Sequence, residues 1–169
     1  TSDRDVYLTI TMLSESVSAR LRAQNLRART VQLSMRDTTL FTFMRQCRLD
    51  PPSFLTGELA RAAMALYKAH YHQPCPLRSL SVTACDLIGE EQPAQLSLFG
   101  DEPVRRRSEQ AERAVDDIRR RFGYHAIGRA IFLMDETIGG INPREEHGAR
   151  PCGCLANGFV PTHFARHRL

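Results

Sequence analysis

Residue types that catalyse reactions are present in this 169-residue chain, but none sits in a pattern that makes an active site. The sequence has no Gly-x-x-x-x-Gly-Lys phosphate loop, no Gly-x-Gly-x-x-Gly, no Gly-x-Ser-x-Gly elbow and no His-Glu-x-x-His pair. The acid pairs Asp101-Glu102 and Asp135-Glu136 read as solvated charges in connecting segments. His70, His72, His125 and His147 have no neighbouring pattern that would serve a nucleophile. Cys47, Cys75, Cys85, Cys152 and Cys154 are odd in number and lack framework spacing, as expected of free thiols in a reducing compartment. Cys152 and Cys154, with His147 and His163 nearby, are the best zinc candidate, yet their spacing fits none of the usual zinc patterns. The expectation is a chain with no catalytic residue, no metal ligand and no resident cofactor.

Two other sets of residues point to binding. The first is basic. Of 23 basic residues, all but Lys68 are arginine, and seven arginines stand between Arg20 and Arg48 against the single acid Asp37. Arginine presents a planar fork of donors that matches phosphate oxygens, so this stretch suits a polyanion. A soluble basic surface would show the same count.

The second set is Gln95-Leu96-Ser97-Leu98-Phe99. These large apolar residues stand in a polar, acidic, turn-rich segment from Gly89 to Pro103, with a period that matches no adjacent element. Exposed Leu-Leu-Phe is costly without a partner, so the pentapeptide reads as a binding motif unless it folds back onto the domain.

The elements that would position these residues follow from periodicity. Val6, Ile10, Leu13, Val17 and Leu21 make one helical stripe, with Asp3 and Asp5 at its start and Arg20 and Arg22 at its end. Arg29–Arg36 alternates strictly: Val31, Leu33 and Met35 to one side, Thr30, Gln32, Ser34 and Arg36 to the other. A turn at Asp37-Thr38-Thr39 leads to a second strand, Leu40–Gln46. Asp50-Pro51-Pro52 breaks the chain; a helix follows from Ser53 or Thr56 to Tyr71, with Leu55, Leu59, Ala63 and Leu66 inward. Leu77–Cys85 alternates again, with Leu80, Val82 and Ala84 to the core. A third helix, capped by Ser108 and ended by Gly123, turns Ala111, Val115, Ile118 and Phe122 inward. The apolar stretch Ala126–Met134 reads as a short strand or an extended arm.

The order helix, strand, strand, helix, strand predicts an α+β fold: a small mixed or antiparallel sheet with two helices on one face and the other face open. Four segments are expected, namely a basic folded domain over 1–88, a linker with the pentapeptide over 89–104, a helix and arm over 105–134, and a poorly ordered tail over 135–169. No apolar run approaches the ~18–20 residues that cross a bilayer, and TSDRDVY is no secretory signal, so a cytoplasmic chain is expected. The missing initiating Met suggests a fragment of a longer protein.

Several of these stretches resemble one family. Ser18–Arg22, Arg29–Arg36, Arg45-Gln46 and Pro76–Val82, in that order around two helices, look like the little finger of Y-family translesion DNA polymerases. Ala114–Gly123 and Ile127–Ala130 resemble the C-terminal extension of members related to DNA polymerase IV and UmuC. The pentapeptide resembles the one by which bacterial polymerases and repair proteins bind the sliding clamp.

The resemblance implies a parent that copies damaged DNA, with this portion gripping the primer–template duplex and tethering the enzyme to the clamp. It implies DNA contacts from the open sheet face, namely Thr30, Gln32, Ser34, Arg36, Arg45 and Arg78, with Arg27, Arg29 and Arg48 at the edges. It implies that Leu98 and Phe99 fill a clamp pocket beside Leu96, with Gln95 at the rim and Ser97 between. Mg2+ is expected for the parent polymerase, held by palm carboxylates that have no counterpart here. Two departures stand out. The palm, fingers and thumb are missing, and so is the family's first strand: either the fragment is cut there, or another segment such as Ala126–Met134 completes the sheet. A non-catalytic adaptor that binds DNA and clamp is the alternative from another class, and a palm upstream in the reading frame would separate the two.

Overall fold

A computed structural model describes residues 3–72, 76–90 and 102–134 of the chain. Helix α1, Asp3–Ala23, has its expected stripe of Val6, Ile10, Leu13, Val17 and Leu21 buried. Asp3 and Asp5 lie in its first turn and Arg20 and Arg22 in its last, each complementing the helix dipole. Asn25, at φ +52°, takes the left-handed conformation that ends the helix, which an asparagine tolerates better than most residues.

Strands β1 (Leu26–Asp37), β2 (Thr42–Ser53) and β3 (Leu77–Gly89) form one sheet in the order β2-β1-β3, antiparallel throughout. Helix α2, Thr56–His70, joins α1 over one side of this sheet. There Val31, Leu33 and Met35 of β1 and Leu80, Val82 and Ala84 of β3 enter a single core with Phe54, Leu59 and Ala63. The α+β architecture expected from the sequence is therefore present.

Three expectations need correction. First, β2 begins at Thr42 rather than Leu40, and it runs on through Pro51 and Pro52. Asp37 delays its start: its Oδ1 accepts hydrogen bonds from the Thr39 hydroxyl (2.6 Å) and the Phe41 amide (3.0 Å), holding a wider turn with Leu40 at φ +72°. The prolines are tolerated because β2 is an edge strand, where a missing N–H breaks no inner ladder. Second, Ala126–Met134 adds no strand. It lies in two short 3-10 turns, Tyr124–Ala126 and Ala130–Met134, with Phe132 against the core, so the sheet has three strands among the described residues.

Third, helix α3 runs over Glu102–Phe122, and the Ser108 hydroxyl bonds back to the Val104 carbonyl within it instead of capping its start. Its expected apolar inward face is not the one that docks. Arg105, Glu109, Glu112, Asp116 and Arg119, spaced four and three apart, turn to the body. Arg105 donates to the Pro52 carbonyl at 2.6 Å, and Glu109 pairs with Arg27 at 2.6 Å. Glu112 and Asp116 both hold Arg22, and Arg119 reaches Glu15 at 3.0 Å. The apolar residues of α3 belong to no core cluster: Val104 is 58% and Phe122 75% exposed. Ion pairing decides this orientation, because an apolar stripe laid against α1 and β1 would leave Arg22 and Arg27 desolvated and uncompensated.

Removing one partner of a buried ion pair strands the other, at a cost of about 3–5 kcal/mol. Arg22→Ala, which strands Asp116 and leaves Glu112 only Arg129 and Thr56, should lower unfolding free energy by that order in urea titrations. Arg120→Ala, which breaks the exposed pair with Asp117, should change it by less than roughly 0.5 kcal/mol. Equal effects would show that α3 is not held by these charges.

Candidate nucleic-acid interface

Side chains directly opposite each other in an antiparallel pair share a face, so the register assigns every residue of the sheet. Across β1 and β2 the helix-free face carries Thr30↔Arg48, Gln32↔Gln46, Ser34↔Met44 and Arg36↔Thr42. Across β1 and β3 it carries Thr30↔Cys85, Gln32↔Thr83, Ser34↔Ser81 and Arg36↔Ser79. The alternate pairs, Val31↔Cys47, Leu33↔Arg45 and Met35↔Phe43, lie on the helix-covered side. The result is a surface of hydroxyls, two amides and two arginines, with Met44 exposed among them.

The expected residues distribute over this frame as follows. Thr30, Gln32, Ser34, Arg36 and Arg48 are brought together on the open face. The Thr30 hydroxyl is already engaged, donating to Asp86 Oδ2 at 2.5 Å, and the Gln32 amide contacts Met44 Sδ at 3.3 Å. Arg29 is exposed at the irregularity between Ala28 and Thr30, and Arg78 occupies the register shift beside the Arg36↔Ser79 pair. Arg45 falls on the other side. It stays solvent-exposed only because β2 is the edge, with its guanidinium 5.8 Å from the Phe43 ring and donating to the Met44 carbonyl at 2.9 Å. Gln46, Thr42, Ser79, Ser81 and Thr83 are the face residues that sequence reasoning missed. The signal was available: Phe43, Cys47 and Leu49 pack on the core, and that alternation carries Arg45 with them and Gln46 away.

Arg27 does not join the open face. It is tied to Glu109 at 2.6 Å and Glu90 at 3.3 Å, and its guanidinium stacks 4.7 Å from the Phe54 ring centroid. The Glu109 hydrogen bond outweighs burial and raises its pKa further. Burial alone would push the Glu90 carboxyl up, but the hydrogen bond and charge of Arg113, aided by Arg27, hold it below the usual range. Arg22 is likewise neutralised by α3. By contrast, Arg29, Arg36, Arg48 and Arg78 have no carboxylate within ion-pair distance among the described residues. The Nε of Arg36 is buried without any acceptor, a donor still lacking its partner.

Glu15, Glu90, Glu109, Glu112 and Asp116 are all committed to arginines, and no group of three or more His, Cys, Asp or Glu residues gathers among the described residues. No helix described is long and apolar enough to cross a membrane. The Gln95–Phe99 motif, the zinc candidate Cys152 and Cys154 with His147 and His163, and the tail over 135–169 lie outside the described residues.

Comparison with known proteins covers most of this structure. Residues 1–98 match the impB/mucB/samB family C-terminal domain. The chain is 38% identical over 141 residues to DNA polymerase IV of Acetivibrio thermocellus, covering 83% of this chain and 35% of that protein. It is 31% identical over 134 residues to DNA polymerase IV of Pelotomaculum thermopropionicum, covering 79% and 32%. It is 32% identical over 136 residues to DNA polymerase IV 2 of Halalkalibacterium halodurans, again covering 79% and 32%. The chain thus spans about a third of the length of the curated relatives it matches.

The register makes a direct prediction about thiols. Cys47 lies on the covered side and burial pushes its thiol pKa up, so maleimide labelling at pH 7 should be slow in the native chain. A Gln46→Cys variant, one residue earlier, should label at the rate of a free thiol, as read by peptide-resolved mass spectrometry. The reverse order would mean that β2 is paired one residue out of register.

Proposed function

The chain belongs to the impB/mucB/samB C-terminal-domain family of Y-family DNA polymerases, and from that premise we propose that it is the DNA-gripping and clamp-tethering portion of a translesion polymerase. The observation that carries the grip is the register. It gathers polar side chains from three strands, Arg36 and Arg48 among them, on the one face that no helix covers. Hydroxyls, amides and arginines on a rigid sheet can hold the phosphates of successive nucleotides without reading base edges. A polymerase that copies damaged templates needs that indifference to sequence. The portion of such a polymerase that this chain does not span would carry the nucleotidyl transfer.

Mg2+ belongs with that other portion in this reading. Glu15, Glu109, Glu112 and Asp116 are spent on arginines, and no group of three or more His, Cys, Asp or Glu gathers among the described residues, so no step is routed through a divalent cation here. The clamp tether rests on Gln95-Leu96-Ser97-Leu98-Phe99, an apolar cluster in a polar segment between β3 and α3. Burying Leu98 and Phe99 in a partner's pocket contributes roughly 1.5–3 kcal/mol each before ordering costs, which suits micromolar affinity.

Duplex DNA of any sequence should bind the chain weakly, and the logarithm of affinity should fall linearly with that of salt. Arg36→Ala with Arg48→Ala should weaken all sequences equally and reduce the salt slope by about one for each arginine removed. Preference for a single sequence, or binding indifferent to salt, would overturn the grip.

The tether has its own test. Leu98→Ala with Phe99→Ala should abolish binding to the cognate clamp in calorimetry while leaving the melting temperature and DNA affinity unchanged. A collapsed melting temperature would show instead that both residues are core.

A further inference from the structure

Helix α3 leaves an apolar line unpartnered. Val104, Ala111, Val115 and Ile118 each stand one residue before a charged position that docks, about 100° round the helix on its flank, and Phe122, four residues past Ile118, continues the line. None packs into the core, and Val104, Ile118 and Phe122 are 58%, 36% and 75% exposed. The line is about 27 Å long at 1.5 Å per residue from Val104 to Phe122. It is also held stiffly: ion pairs and hydrogen bonds along the neighbouring stripe, from Arg105 to Arg119, fix the axis of α3 to α1, β1, the end of β2 and the start of α2. A helix that spends its charges on docking and keeps its apolar line in water presents that line to something else.

Chain length says what. Phe99 precedes Val104 by five residues, which span at most about 17 Å even fully extended. A protein holding Leu98 and Phe99 in a pocket is therefore brought against the first turns of α3, and its surface beside that pocket meets the apolar line. We propose that the flank of α3 is a second contact for the sliding clamp, continuous with the pentapeptide and turning a simple tether into an oriented attachment. This rests on the clamp reading of Gln95–Phe99. Two linked contacts act at high effective concentration, so even a weak second contact tightens the whole.

The test is calorimetry of the 169-residue chain against the purified cognate clamp, beside a synthetic peptide of residues 91–101. The chain should bind at least about tenfold more tightly than the peptide, a modest gain for a linked second contact. Ile118→Asp with Phe122→Asp should bring the chain down to the peptide's affinity without lowering its melting temperature, both side chains being exposed. Val104→Glu with Ala111→Glu, at the other end of the line, should weaken binding in the same direction and serves if the first variant melts early. Peptide and chain of equal affinity, or both variants within about twofold of the unaltered chain, would overturn the second contact while leaving the pentapeptide tether intact. Absence of binding by both peptide and chain would instead remove the clamp reading, and this proposal with it.

Discussion

One carboxylate holds the helical side of this domain together. Glu112 of α3 pairs with Arg22 at the end of α1 and accepts the Thr56 amide at 3.0 Å and the Thr56 hydroxyl at 3.0 Å at the start of α2; Arg129 adds a contact at 3.1 Å. Each partner had a need before α3 arrived. The first amides of α2 have no carbonyl within their own helix, and its N-terminal neighbour Leu55 has no side-chain oxygen to offer them. Arg22 is 7% exposed, a charge that no buried site tolerates alone. An acid placed between an arginine and a helix N-terminus answers both at once, with the dipole of α2 adding to the attraction. Polar docking of this kind gives geometry rather than surplus stability: replacing the set by apolar residues could be neutral, whereas losing one member is costly.

That knot also sorts the arginines. Seven of them between Arg20 and Arg48 suggest one basic surface, but the chain divides them between two sides. Arg22 and Arg27 are consumed by α3 and Glu90 on the covered side. Arg36 and Arg48 remain on the open face, with Arg29 at its margin. Local charge is what a polyanion meets within a Debye length of roughly 8–10 Å, so this partition matters more than the overall charge of +4. Asp86 beside Thr30 marks one limit of the favourable area, since its carboxylate repels phosphate there.

Elements whose period and burial agreed were readable from sequence. The stripe of α1, the alternation of β1 from Thr30 to Arg36, and the inward Leu80, Val82 and Ala84 of β3 all face as their spacing implies. The face of β2 was harder because an edge strand exposes both sides: Arg45 is covered-side by register and solvent-exposed by position, so its charge gave no parity. The orientation of α3 was illegible for a different reason. Its apolar and charged lines both repeat at helical spacing, and the choice between them depends on Arg22 and Arg27, whose acidic partners on α3 lie 94 and 82 residues further along the chain. Periodicity finds a stripe; only tertiary structure says which of two stripes is docked.

The composition of the open face bears on what it can discriminate. Reading a base pair in the major groove takes paired donors and acceptors aimed at base edges, typically an Arg fork on guanine or an Asn or Gln amide on adenine. Here the amides Gln32 and Gln46 sit opposite each other at the centre of the face, where one contacts Met44. Around them lie Ser34, Ser79, Ser81, Thr42 and Thr83, short hydroxyls that donate to or accept from whatever oxygen is near. A sheet fixes these groups along strands at about 3.3 Å per residue and across strands at about 4.8 Å, a lattice that cannot follow base identity from step to step. The face is therefore built for position along a backbone. On the proposed function, preference for one template over another is not a property this face supplies.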